Sequence, residues 1–224
     1  MAYNLPGDLK RFNNMFEYAR GKNLPHEPGA LVVFGRDDAR IAHRAGQLVQ
    51  ANLAEVAVFT SEAQGSDAGT LAARGFRNAA HFSSHEFDAY CRTNDVMPPT
   101  VLQEENATND RENARFSLDV LAQKHWTGNL AITGVTHATF GRRLGAILEQ
   151  IVAEHPAVGA DNVCVAPSHY GFSPINLFDR EDVSHEILDI AGFSADGRGV
   201  VQHDLPIEYV DFAGDYIAHL ARTT

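Results

Sequence analysis

The residues from Glu104 to Asn113 are almost all glutamate, asparagine, aspartate or threonine, side chains that bind ligands or cap helices. They follow the apolar pair Val101 and Leu102 and precede an amphipathic run through Phe116, Leu118, Val120 and Leu121. That order reads as a strand, a polar turn and a helix start. In open α/β sheets, ligands bind at the carboxyl ends of strands. Glu104 would stand at the strand end, Thr108 in the turn, and Asn109 and Asn113 on one face of the helix. Two uses fit these residues. Glu104 with Asn109 or Asn113 would touch a ligand, or Asn109 would cap the helix while Glu112 reaches back to it. Both can hold at once, because a capped helix start still attracts anions.

Three further polar clusters follow apolar runs: Gly35, Arg36, Asp37 and Asp38; Thr60, Ser61 and Glu62; and Thr133 through Thr136 to His137. In a parallel sheet all four clusters share one edge. Gly35 allows close backbone approach, but no glycine-rich dinucleotide fingerprint surrounds it. Asp37 and Asp38 would hold a ribose hydroxyl, an amine or a metal, or Asp38 would cap a helix. Arg142 and Arg143 fall early in a helix, where the dipole favours carboxylates instead. One of them would bind a carboxylate or phosphate bidentately, or both would form a solvated pair. His137 is a structural residue or, with Asp38 and Glu104, a catalytic candidate. The other histidines lack zincin spacing, and no metal is expected. Ser168 and Ser173 lack the setting of a nucleophile elbow.

The elements that must position these residues are legible from periodicity. Apolar runs at Ala30–Phe34, Glu55–Thr60, Thr100–Gln103, Asn129–Thr133 and Asn162–Ala166 read as strands. Helical spacing covers Leu9–Arg20, Asp38–Leu53, a run to Arg92 capped by Ser83 or Ser84, Asn109–Lys124 and Phe140–Glu154. Further helical runs lie near Val183–Ile190 and Tyr209–Ala221, around a glycine-rich stretch from Gly192 to Gly199. Strands alternating with helices imply a doubly wound α/β domain with right-handed crossovers. The expected organisation is an N-terminal helical segment over residues 1–27, an α/β core over 28–166, and a C-terminal helical extension over 167–224 packed on the core.

Lysine and arginine total 18 against 29 acidic residues, a formal net charge of −11. That excess argues against nucleic acid and anionic membrane surfaces as partners. No apolar stretch reaches the roughly 18 residues of a membrane span. Met1 to Lys10 has no signal-like apolar core, so a cytoplasmic location is expected. Cys91 and Cys164 are then expected to be reduced. The oligomeric state is left open.

Four places in the chain resemble the YdcF-like family, the cytoplasmic branch of the domain family that also holds SanA and ElyC. Ala30 to Gly35 followed by Asp38 to Ala42 is similar to its first strand, glycine and opening helix. Glu104 to Asn113 resembles its hallmark of an acidic residue, Ala-Thr-Asn and Glu-Asn. Thr136 with Arg142 and Arg143 looks like its element after the fourth strand, and Leu205 to Glu208 like its closing segment. Asp110 and the Thr60, Ser61, Glu62 triplet depart from the family pattern. The resemblance implies a Rossmann-like three-layer α/β/α fold with a cleft at the strand carboxyl ends. It also implies a ligand of the S-adenosylmethionine type or another nucleotide. A small-molecule-binding protein, and an enzyme acting on a nucleotide-like or anionic ligand, is therefore the leading expectation. A non-catalytic regulatory module and a metal-assisted phosphate hydrolase using Asp37, Asp38 and Glu104 are the alternatives.

Overall fold

Five apolar runs become five parallel strands, and those at the centre of the sheet are covered on both faces. The structure, a computed structural model, describes residues 5–20, 25–61, 68–126, 128–155, 157–169, 177–195 and 205–223. Glu62 and Ser173 lie outside them, as does the glycine-rich stretch beyond Ala195. In chain order the elements are α1 (Leu5–Arg20), β1 (Gly29–Phe34), α2 (Ala39–Gln50), β2 (Ala54–Thr60), α3 (Ala68–Ala73), α4 (Ala79–Thr93), β3 (Thr100–Glu104), α5 (Asp110–Gln123), β4 (Gly128–Thr136), α6 (Gly141–Glu154), β5 (Val158–Pro167), α7 (Leu177–Ala195) and α8 (Ile207–Thr223). A 3-10 turn, Ala138–Phe140, leads into α6.

The sheet order is β3-β2-β1-β4-β5, and every pairing is parallel. Helices α2 and α4 pack together on one face, and α5 and α6 on the other. The result is a three-layer, Rossmann-like α/β/α fold. Side chains alternate between faces along each strand. Leu31, Val33, Ala57 and Phe59 therefore meet Ile41, Leu48 and Phe87 on the α2/α4 side, all buried. Removing each such side chain from water contributes about 1.5–3 kcal/mol. The alternate positions face α5 and α6. At Gly134 an added Cβ would come within 2.6 Å of Leu148 and 3.3 Å of Leu144, so this glycine lets α6 seat closely on β4.

Two sequence expectations need correction. The helix expected from Ser83 or Ser84 begins at Ala79, with Asn78 as its cap; the Asn78 side chain accepts from the His81 N–H at 2.8 Å. Ser84 lies inside the helix and donates to the His81 carbonyl at 3.2 Å, a back-bond available to serine in mid-helix. Thr133, Gly134 and Val135 are not a polar turn after β4 but lie within it, paired in register with Leu31, Val32 and Val33. Only Thr136 and His137 of that cluster stand at the strand's end.

Cys91 and Cys164 are free and buried, on α4 and β5 respectively. Burial raises the pKa of both thiols, and nearby Asp88 and Glu27 raise them further. A native sample at neutral pH should therefore react slowly with a thiol-specific reagent, and a denatured, unreduced one should give two equivalents. Rapid labelling of both native thiols would contradict this burial.

The described residues from 25 to 169 form one compact unit, and α1, α7 and α8 form another. In the latter, α1 packs on α7 and α7 on α8. The Phe12 ring meets Phe212 and Tyr216 edge-on, with centroids 5.0 and 4.9 Å away. The Arg180 guanidinium lies over the Phe12 ring at 5.3 Å. The N-terminal helix thus groups with the C-terminal helices.

Candidate functional site

Parallel pairing brings the four strand ends to one edge. Register places Phe34 opposite Thr60, Thr60 opposite Glu104, and Thr136 opposite Pro167. Gly35 to Asp38, Ser61, Glu104 and His137 all lie at or just past that edge. The residues divide into two groups with different bonding.

The first group is built into the fold. Glu104 is 3% exposed. Its Oε1 accepts from the Asn106 and Ala107 N–H groups at 2.6 and 3.2 Å, and its Oε2 accepts from the Thr60 hydroxyl at 2.8 Å. Both of its carboxylate oxygens are thus engaged by the fold itself. Thr60 also lies 2.8 Å from the Asn113 amide oxygen position. One hydroxyl proton serves one acceptor, so with that proton on Glu104 the Asn113 amide turns an N–H toward Thr60. Ser61 accepts from the Ala80 N–H at 3.0 Å and helps to cap α4.

Asn109 is the cap of α5 and accepts from the Glu112 N–H at 3.0 Å. Glu112 reaches back to the Thr108 N–H and hydroxyl at 2.8 and 2.7 Å. This is the expected capping-box variant, with its return bond one residue earlier than usual. The Thr108 hydroxyl bond, then its backbone bond and the Asn109 side chain, hold the Glu112 pKa below its ordinary value against a smaller opposing effect of burial. Its contribution is present above the unfolded-state pKa and is lost as pH falls through the folded one.

The second group lies where the strand order reverses. Chain crossovers leave β1 and β4 for opposite faces of the sheet, α2 for one and α6 for the other. Open α/β sheets have their crevice at such a point. Asp38 caps α2: its Oδ1 accepts from the Arg40 N–H at 2.9 Å and from Arg40 Nε at 2.8 Å. Its Oδ2 is buried and has no hydrogen-bond partner. His137 Nε2 lies 3.8 Å from that oxygen, too far for a hydrogen bond. His137 Nδ1 lies 2.9 Å from the Thr139 hydroxyl and accepts from the Thr139 N–H at 3.4 Å. Accepting there leaves the ring proton on Nε2, the nitrogen nearer Asp38.

Beside this pair two guanidiniums share one aromatic ring. Arg36 lies 4.2 Å and Arg143 4.9 Å from the Phe140 centroid. Arg143 is 9% exposed and sits 3.7 Å from Asp110, the first residue of α5. The structure thus brings Arg36, Asp38, His137 and Arg143 together. It leaves Asp37 exposed, Arg142 half-buried in the first turn of α6, and Thr136 buried at the end of β4 with its carbonyl bonded to the Ser168 N–H at 2.8 Å. Sequence reasoning missed Phe140 and Thr139. An aromatic residue directly before Gly141, Arg142 and Arg143 was the available signal.

Among the described residues no group of three or more histidine, cysteine, aspartate or glutamate side chains is arranged to hold a metal ion. No described helix is long and apolar enough to cross a membrane. The fold and this edge define a doubly wound α/β protein with a polar side-chain cluster at its switch point. Compared with known proteins, the chain matches no family model, no curated protein and no solved structure.

Proposed function

We propose that this chain is a cytoplasmic small-molecule-binding protein whose ligand, nucleotide-like and anionic, occupies the crevice between the β1 and β4 loops. One observation carries the reading: a buried carboxylate oxygen of Asp38 that accepts no hydrogen bond and the two guanidiniums on Phe140 stand at the same switch point. A ligand hydroxyl or amine would satisfy Asp38 Oδ2, and the arginines would neutralise its charge. The resemblance to the YdcF-like family adds S-adenosylmethionine to the candidate ligands. His137, with its ring proton near Asp38, supplies the proton-handling group that an enzyme would need. Glu104, by contrast, serves the fold.

Asp38→Asn separates binding from folding. Asparagine caps helices as well as aspartate does, so the bond to the Arg40 N–H survives. Losing the charged acceptor should weaken binding by about ten- to a hundredfold, the equivalent of roughly 1.5–3 kcal/mol. Calorimetric titration of both proteins with a nucleotide panel and S-adenosylmethionine, beside their melting curves, reads the difference. Equal affinities in the two proteins would remove Asp38 from the site.

A further inference from the structure

We infer that Ser168 belongs to the ligand site and that, with Asp38, it binds a hydroxyl-bearing part of the ligand, a ribose or a group like it. This rests on the reading of the β1/β4 switch point as that site, and adds to it a residue from the end of β5 and the chemical group recognised there.

Register carries Ser168 to the site. Strands β4 and β5 are parallel, with Val135 opposite Ala166 and Thr136 opposite Pro167. The Ser168 N–H donates to the Thr136 carbonyl at 2.8 Å, so the ladder runs on past the last paired residues. His137 and Ser168 are therefore neighbours on strand ends about 4.8 Å apart. Val135 and Ala166 both face the α2 side of the sheet, in one buried cluster with Ile41 and Ala42. Side chains two residues further along a strand share that face. His137 follows this rule, since its Nε2 lies 3.8 Å from Asp38, the cap of α2. Ser168 lies on the same side, which sets Asp38, His137 and Ser168 in a row across the ends of α2, β4 and β5.

Two atoms of this row point to a ligand. Ser168 is fully buried and its hydroxyl makes no hydrogen bond among the described residues; Asp38 Oδ2 is buried and accepts none. A buried polar group without a bond costs stability. Alanine at position 168 would avoid that cost and keep nearly the same shape, so the serine weakens the fold unless a ligand uses its hydroxyl. Asp38 sets the chemistry. Its Oδ2 takes a proton and gives none, so a phosphate or carboxylate oxygen is repelled and a donor is needed. Its charge is already met at Oδ1 by Arg40 Nε at 2.8 Å, and Arg36 stands in the same loop. A cationic amine would meet those guanidiniums. A neutral hydroxyl meets neither objection. It donates to Asp38, and a neighbouring hydroxyl of the same ligand exchanges a bond with Ser168, which both donates and accepts. Ribose offers such a pair, leaving the ligand's charged end to the exposed Arg36.

The test sets affinity against stability. Ser168→Ala should melt at or above the parent's temperature, because the hydroxyl it removes is buried without a bond. It should bind adenosine monophosphate about tenfold more weakly, the loss expected for one hydrogen bond. The parent should prefer adenosine monophosphate to its dideoxyribose analogue by about tenfold or more. The variant should show little of that preference. Equilibrium titration of the parent, Ser168→Ala and Asp38→Asn with both compounds, beside their melting curves, reads these differences. If Ser168→Ala binds as the parent does, or the parent binds the two compounds equally, the assignment of Ser168 is overturned; weakened binding by Asp38→Asn then leaves the switch-point reading standing. A lowered melting temperature of Ser168→Ala would place the hydroxyl's bond within the fold and overturn the assignment as well. If neither compound binds the parent, both readings are overturned.

Discussion

Glu104→Ala should lower stability by about 3 kcal/mol or more. The substitution strips the acceptor from two backbone N–H groups, at Asn106 and Ala107, and leaves the Thr60 hydroxyl with Asn113 as its acceptor. Each buried donor left unpaired costs about 1–3 kcal/mol, reduced where water reaches it. In a chain of this length the melting temperature should fall by roughly 6–12 °C, at about 2–4 °C per kcal/mol. Glu104→Gln keeps an oxygen for the turn, and Thr60 then donates to Asn113, so its cost should be closer to about 1 kcal/mol. Denaturant unfolding of the three proteins measures the ranking. An alanine variant within about 0.5 kcal/mol of the parent, the range of an ordinary surface substitution, would show that these bonds do not hold the edge.

Gly35→Ala should damage folding and binding together. An added Cβ would lie 2.7 Å from the Ala79 carbonyl oxygen, 2.8 Å from its carbon and 3.0 Å from Ser83 Oγ. The first two are backbone atoms and cannot rotate away. The Gly35 N–H is also committed, donating to the Thr60 carbonyl at 2.7 Å. Either the β1 loop or the start of α4 must shift, at a cost of about 1–3 kcal/mol typical of overpacking. Arg36 and Asp38 ride on that loop, so ligand affinity should fall by about tenfold or more, since small misplacements are costly at binding sites. A variant that is destabilised yet binds normally would uncouple the β1 loop from the site.

The strands and layers were legible because β1 and β2 are buried on both faces and therefore read as unbroken apolar runs. β4 was read too short because Thr133 and Gly134 have the composition of a turn. What overrides that composition is the close seat of Leu144 and Leu148 on Gly134, a contact between distant parts of the chain. The start of α4 was misplaced for a similar reason: Ser83 and Ser84 have good capping chemistry, but Asn78 holds the position. At the site, edge and cluster were readable, but the roles within them were not. Glu104 has the type and place of a ligand group, while its acceptor bonds go to its own turn and to Thr60, forty-four residues away. Arg36 joins Arg143 at Phe140 only once β1 and β4 are neighbours, which no local pattern encodes.

Backbone amide shifts, followed while adenosine monophosphate and then S-adenosylmethionine are titrated into the protein, test the crevice most directly. The account predicts that the largest changes for the ligand that binds fall on Gly35 to Asp38 and His137 to Arg143, the two loops of the switch point. Changes centred on the amino ends of the strands, on the α5 cap at Asn109, or on α1, α7 and α8 would contradict it.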